Sequence, residues 1–337
     1  MKPVLLQAVT ACVLLTSVCV AQKESVRPGI NDSFKAPDVS TFVERFEKEG
    51  REVYDHREAI AKACNIKPGM SVADIGAGTG LFTRLLAPQV GKEGEFFAVD
   101  IAKEFVDHVV ATSREAGLTQ VKGVVCTPTS TELPADSIDL AFICDTYHHF
   151  EFPYKTMRSL HNALKDGGKV VLVEFEREEG KSSDWIMGHV RAGKSTFLEE
   201  IRLAGFEVES EENFLETSYL VRFVKSNRRT PQGHTSDSVA NVKQLLGDGT
   251  AVLIDVREQQ EWDAGHLQAA KLVPLSELRQ GPEATAKLPK NQVIYCHCRS
   301  GRRVLAAAEI LSAQGFDIRP LPLGFDALVA EGFETAK

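Results

Sequence analysis

The stretch VADIGAGTG at 72–80 places Gly76, Gly78 and Gly80 directly behind a hydrophobic run that carries Asp74 near its end. SVADI (71–75) reads as a buried strand and LFTRLLA, just behind the glycines, as a helix. Glycines in a strand-to-helix turn let the backbone bend sharply and come close to a ligand without a Cβ collision. About 20 residues on, a second strand (GEFFAVDI) ends at Asp100 and Ile101, where a carboxylate can accept both hydroxyls of a ribose. A dinucleotide fingerprint needs G-x-G-x-x-G, whereas the third glycine here stands at 80 and Leu81 follows it. The spacing G-x-G-x-G, with an acid two residues ahead, ranks a dehydrogenase below other nucleoside-binding readings.

Working outward, strands and helices alternate. Residues 41–65 read as helical, ahead of the glycine turn. Behind it, KEFVDHVVATSREAG reads as a helix, VKGVVC and SIDLAFICD as strands, PYKTMRSLHNALKDGG as a helix and KVVLVEFE as a strand. A helix near 195–204 and two strands, FEVESEE and SYLVRFVK, complete the unit. Such alternation predicts a mostly parallel sheet covered on both faces.

This series resembles the class I S-adenosylmethionine (SAM)-dependent methyltransferases over roughly 41–225, with TSTELPADSIDLAFICDTYHHF and LKDGGKVVLVEF standing at the fourth and fifth strands. The resemblance implies a seven-stranded Rossmann-like sheet and SAM as cofactor. Asp74, Gly76, Gly78 and Gly80 would line its methionine and ribose side, and Asp100 with Ile101 would hold the ribose. Asp145, Tyr147, His148 and His149 would face the transferred methyl group and a small-molecule acceptor, with His148 and His149 as candidate bases. Many relatives carry an acid after strand three, but this chain has CTPTST, so Thr127 or Thr129 must meet the adenine or the contact is lost. YDHRE (54–58) is a candidate lid, and GHVRAGK (188–194) either an acceptor-docking segment or a loop with a helix cap.

SNRRTPQGHTSDS (226–238) is polar, has Pro and Gly, shows no periodicity and reads as a linker. Behind it VANVKQLL, AVLIDV, KLVPL, QVIYC and VLAAAEILSAQG describe a smaller α/β unit, long enough to hold its own core. Between the strand QVIY and that last helix lies CHCRSGRR (296–303). A thiolate needs its charge stabilised, which loop amides, arginines and a helix N-terminus supply. Glycine falls at the third position after Cys298 (Gly301) but not after Cys296, which makes Cys298 the better nucleophile. A cysteine-phosphatase loop, C-x5-R, fails from Cys298 because Val304 stands at the arginine position; from Cys296 it reaches Arg302, but with no glycine in place and Tyr295 where a histidine is usual. The shorter ring suits a single bound sulfur.

The loop and its flanks, LIDVREQQEWDAGHLQAAKLVPL and LGFDALVAEGF, resemble the rhodanese-type sulfurtransferases over about 238–335, with Gln268 and Ala269 departing from the usual Pro-Gly turn. The resemblance implies that Cys298 carries sulfane sulfur as a persulfide between a donor and a thiol-type acceptor. Ser300 and Gly301 would form the cradle, and Arg299, Arg302 and Arg303 would draw in an anionic donor. Asp255, Arg257, Glu261 and His266 are expected to be a structural ion-pair network, and Cys296 to line the strand.

The chain has 337 residues, a formal net charge of −8 and no basic stripe, which argues against a nucleic-acid partner. MKPVLLQAVTACVLLTSVCVAQ opens with Lys2 and an apolar run of about 15 residues, short for a membrane span, before small residues near Ala21. That pattern predicts a secretory signal over 1–21, export to the periplasm or beyond, and no stable span afterwards. The remaining boundaries are an extension at 22–40, a methyltransferase unit at 41–225, a linker at 226–237 and a rhodanese-like unit at 238–335. Five cysteines would remain, too few and too scattered for a disulfide framework, and no run has metal-ligand spacing. A fused methyltransferase and sulfurtransferase is the expected whole. The alternative is a non-catalytic, ligand-binding first unit beside an active rhodanese-like one.

Overall fold

The computed structural model describes residues 25–226, 233–290 and 292–336. The expected signal at 1–21, the start of the 22–40 extension and half of the linker lie outside the described residues.

Three short helices open the first unit, α1 (Val39–Phe46), α2 (Glu52–Asp55) and α3 (Arg57–Ala63). The sequence reads this region as continuously helical; Gly50, at φ +85°, breaks it. Then come β1 (Ser71–Ile75), α4 (Leu81–Val90), β2 (Glu95–Asp100), α5 (Lys103–Glu115), β3 (Val121–Val125) and β4 (Ile138–Cys144). They are followed by α6 (Pro153–Ala163), β5 (Leu164–Phe175), α7 (Asp184–His189), α8 (Lys194–Leu203), β6 (Phe206–Glu212) and β7 (Ser218–Lys225).

The seven strands form one sheet in the order β3-β2-β1-β4-β5-β7-β6. β3, β2, β1, β4 and β5 pair in parallel, while β7 runs antiparallel to both β5 and β6. Side chains alternate across a strand, and the core follows that period. Ala73, Phe97, Val99, Val170 and Leu172 join the core on one face, and Val72, Phe96, Ala98, Val171 and Val173 the core on the other. The chain order reverses between β1 and β4, so their carboxyl ends diverge and leave a crevice.

The second unit contains α9 (Val239–Gly247), β8 (Ala251–Asp255), α10 (Gln259–Asp263), β9 (His266–Leu267), β10 (Ala270–Leu272) and α11 (Leu275–Leu278). β11 (Val293–His297), α12 (Arg303–Ala313), β12 (Asp317–Pro320), α13 (Phe325–Ala330) and β13 (Thr335–Ala336) complete it. Its main sheet is parallel, in the order β10-β8-β11-β12, with β9 and β13 as a separate antiparallel pair.

The period-two rule divides this sheet as well. Val252, Ile254, Ile294 and Cys296 belong to a core private to the second unit. Ala251, Leu253, Val293 and Tyr295 belong instead to the core that continues into the first unit, where it includes Met157 and Tyr154. The two units therefore share buried surface, which an independent core for each does not anticipate. Polar groups stitch the seam. Asp317 accepts from Arg158 at 2.8 Å, and Arg319 donates to the Leu203 carbonyl at 2.7 Å and to Asp237 at 2.9 Å. Asp237 also accepts from Arg202 and from the Tyr295 hydroxyl.

Candidate functional site

The glycine turn takes its shape from three left-handed glycines, with φ of +76° at Gly76, +52° at Gly78 and +80° at Gly80. A Cβ on Gly76 would lie 2.2 Å from Thr146 Cγ2, so only glycine lets β1 and β4 close together there. Gly78 N–H donates to Asp100 Oδ2 at 2.9 Å and Ala102 N–H to Asp100 Oδ1 at 2.9 Å, so the second-strand acid holds the turn in place. Burial raises the Asp100 carboxyl above its ordinary range, and these backbone donors oppose the rise. Asp74 accepts from the Thr83 hydroxyl at 2.7 Å, and burial pushes its carboxyl up to about 7.

A cavity of about 490 Å³ opens above the turn, inside the roughly 300–1,000 Å³ range of small-ligand sites. Asp74, Gly76, Gly78, Asp100, Ile101, Thr127, Asp145, His148 and His149 all line it. Two residues expected there do not. Gly80 stands at the N-terminus of α4, where a Cβ would meet Val109 of α5 at 2.8 Å, so it serves helix packing. Tyr147 is fully buried in the core, and its hydroxyl donates to Glu200 at 3.1 Å. The 3-10 turn over 147–149 points Tyr147 inward and the two histidines toward the cavity.

The cover also differs from expectation. Tyr54 and its neighbours to Glu58 are not among the lining residues, whereas Phe34, Arg45, Phe46 and Arg51 are. Arg51 reaches across to Asp145 at 2.5 Å. Asp145 sits in the left-handed region, at φ +47°, and its Oδ1 is buried with no protein partner. Burial pushes its carboxyl up to about 6, against the pull of Arg51.

At the far end lie residues that sequence reasoning missed. Glu174, with no exposure, accepts from the His148 backbone N–H at 3.1 Å and pairs with His148 Nδ1 at 2.8 Å. Its signal was present: one acid in the otherwise apolar run VVLVEF. The segment GHVRAGK begins inside α7, a helix capped by Ser183, which accepts from Ile186 N–H. This helix carries His189 and Trp185 into the cavity, with their rings stacked at 4.6 Å. Burial, then the neighbouring His148, pushes the His149 imidazole down to about 2 and the His189 imidazole to about 4. Both are neutral near pH 7, with lone pairs available.

The donor set fits SAM. Asp100, beside the glycine turn, would accept from the ribose, Cys126 and Thr127 would border the adenine, and the unpartnered Asp145 Oδ1 would take an ammonium hydrogen. Thr127 N–H donates to the Ser130 carbonyl in a tight turn, which fixes that edge.

The second site is a closed loop. Cys298 ends the strand path and α12 starts at Arg303, while Gly301 adopts φ +77° with its Cβ position 2.5 Å from the Pro322 carbonyl. Phe325 N–H donates to the Cys298 carbonyl, and His234 of the linker bonds the Gly301 carbonyl at 2.7 Å. Cys298 is only 1% exposed, whereas sulfur exchange with a donor needs access to its thiol. Packing of 321–325 against the loop closes it. Arg303, expected to gather a donor, is instead held by Glu261 at 2.6 and 2.8 Å and lies against the Cys298 thiol. Ser300, Arg299 and Arg302 are exposed, and neither arginine has an ion-pair partner among the described residues. Of the four residues expected to form an ion-pair network, Asp255 and Arg257 form a buried pair, whereas Glu261 turns to Arg303 and His266 stacks on Trp262. Cys296 is fully buried in the private core, its thiol pushed up by burial.

Residues 73–172 match the family described as "Methyltransferase domain", and residues 238–331 the one described as "Rhodanese-like domain". Among curated proteins, the chain is 31% identical over 131 residues to "Uncharacterized methyltransferase YcgJ" of Bacillus subtilis, covering 39% of this chain and 51% of that protein. It is 39% identical over 64 residues to "Probable adenylyltransferase/sulfurtransferase MoeZ" of Mycobacterium tuberculosis, covering 19% of this chain and 16% of that one. The chain thus spans about half, or much less, of these relatives' length. A solved SAM-dependent methyltransferase from Aquifex aeolicus is similar at 21% identity and a TM-score of 0.49, covering 56% of this chain and 99% of that one. The chain joins a SAM-dependent methyltransferase domain, with SAM as its cofactor, to a rhodanese-like domain.

Proposed function

We propose that this chain transfers a methyl group from SAM to a small acceptor docked at the His148, His149, His189 and Trp185 end of the cavity. The observation that supports this reading is the continuity of one cavity from the glycine turn and Asp100 to those histidines. When bound, SAM supplies an activated methyl carbon and a sulfide leaving group, so alignment supplies most of the rate. Asp100 and the glycine turn hold the nucleoside, Asp145 meets the ammonium, and the cover from Phe34 to Arg51 excludes water. His148, held by Glu174, takes the proton of a protonated acceptor, and the carboxylate stabilises the imidazolium that results.

In the second domain, the Cys298 thiolate attacks the sulfane sulfur of a donor such as thiosulfate. The donor's S–S bond breaks, sulfite leaves with the bond's electron pair, and a cysteine persulfide remains. A thiolate or cyanide then attacks the outer sulfur and restores the Cys298 thiolate. Arg299 and Arg302, exposed at the loop, attract the anionic donor, and the loop must open for the sulfur to react. The sequence of the first 21 residues supports export of the chain, and the fusion suggests a sulfur-containing methyl acceptor.

Calorimetric titration with SAM tests the first domain: binding is expected, and Asp100→Ala should abolish it. No binding to the intact chain would leave the first domain a scaffold. Thiosulfate:cyanide sulfur transfer, lost in Cys298→Ala, tests the second. Fractionation with N-terminal sequencing of the mature chain tests export.

A further inference from the structure

The acceptor end of the cavity holds three imidazoles, two more than removal of one proton requires. His148 and His149 come from the 3-10 turn after β4, and His189 from the last residue of α7, forty positions further on. One ring nitrogen of each lies within 4.8 Å of the others. All three residues line the cavity.

Each imidazole is arranged to present a lone pair. His148 gives its Nδ1 to the buried Glu174 carboxylate at 2.8 Å, which places the proton on Nδ1 and frees Nε2. A carboxylate behind a ligating histidine fixes the tautomer and ring angle in just this way. His149 Nδ1 is buried without a protein partner, while the Ile30 backbone bonds its ring. His189 is braced by Trp185, and Arg27 donates to the carbonyls of Gly188 and His189, which pins the end of α7. Phe34 packs edge-on against His149. The charged groups facing the cluster are Arg27 and Arg45 against Glu174 and Asp145.

We propose that His148, His149 and His189 bind one divalent transition-metal ion, of which zinc suits the donors best, with its fourth position open to the acceptor pocket. A tetrahedral ion about 2.0–2.1 Å from each nitrogen would hold the nitrogens about 3.3 Å apart, so side-chain rotations of about an ångström close the site. Three imidazoles with one open position make a ligand set suited to zinc and its neighbours. An acceptor thiol or hydroxyl bound at that position loses its proton more readily. In the loaded protein the ion therefore takes over the activation that His148 performs alone. Metal uptake is independent of methyl transfer and survives failure of the reading above.

The test is titration of the chelator-treated full chain with cobalt(II) and zinc(II). We expect one equivalent to bind, with the visible ligand-field bands of a four-coordinate cobalt site and no thiolate-to-cobalt charge transfer. His189→Ala and His149→Ala should each weaken uptake at least 100-fold, and Glu174→Gln 10- to 100-fold. Uptake that shows a thiolate band, uptake unchanged in both histidine variants, or no stoichiometric uptake by the intact chain overturns the proposal. Should either variant misfold, Glu174→Gln, which keeps all three ligands, decides: uptake weakened with the four-coordinate bands retained supports the site, and unchanged uptake overturns it.

Discussion

Arg51 and Asp145, ninety-four positions apart, meet at 2.5 Å across the cavity mouth and leave one oxygen of Asp145 buried and unpartnered. The cover is thereby latched to the turn after β4. Asp145 binds a proton as pH falls through about 6, since burial raises its carboxyl and Arg51 only partly offsets the rise. SAM affinity, measured calorimetrically, should therefore weaken below that pH. In Arg51→Met the main cation that lowers Asp145 is gone, so the same loss should begin at higher pH. An unmoved profile would show that Asp145 does not meet the ligand.

Gly76→Ala places a methyl 2.2 Å from Thr146 Cγ2 at φ +76°. The left-handed backbone alone costs roughly 1–2 kcal/mol, and the clash adds to it. Gly78→Ala shares the positive φ but meets nothing nearer than 3.9 Å. Thermal melts should rank Gly76→Ala well below Gly78→Ala; equal losses would mean that Thr146 yields freely.

Asp237 has no side-chain exposure and accepts from Arg202, Arg319 and Tyr295 at the seam. Asp237→Ala leaves the buried Arg319 guanidinium short of a counter-charge, and breaking one partner of such a pair costs about 3–5 kcal/mol. Denaturant unfolding should show that loss. A change under 1 kcal/mol would show that Asp317 alone satisfies Arg319.

His161 lies at the same seam, faced by Arg158, Lys225, Asp317 and Arg319, and burial first, then the cations, pushes it down to about 3. The unfolded chain protonates this histidine near 6.5 while the folded chain keeps it neutral. Its contribution is thus intact above pH 6.5 and is lost as pH falls toward 3, amounting to about 2 kcal/mol at pH 5. His161→Gln should flatten the decline in stability between pH 7 and 5; an unchanged slope would assign the acid sensitivity to other groups.

Cys298, at 1% exposure, should react with iodoacetamide at least 100-fold more slowly in the native chain than in denaturant. Glu261→Ala frees Arg303 from its fork and should speed the native reaction. Mass mapping of the alkylated residue checks both, and rapid native labelling would contradict a closed loop.

Much of this was legible in the sequence because it is local. The period-two hydrophobic runs, the glycines between β1 and α4, the acid closing β2 and the CRSGRR loop each depend on neighbours a few residues away. Glycine at 76, for instance, marks a backbone that no other residue adopts without strain. Partners brought together across long spans were not legible. Glu174 beneath His148, His189 beside both histidines, Arg51 over Asp145 and Tyr147 turned into the core depend on how β4, β5 and α7 meet. Spacing along the chain carries no trace of such meetings. The seam is similar: the alternation of β8 and β11 showed that both faces are apolar, but not that one face would lie against α6. Residues close in the chain fixed the elements, their order and the glycine and cysteine loops, since backbone preference and side-chain period act over short range. Tertiary structure alone decided which polar groups share a cavity and how far Cys298 is closed off, since burial and charge pairing depend on packing between distant segments.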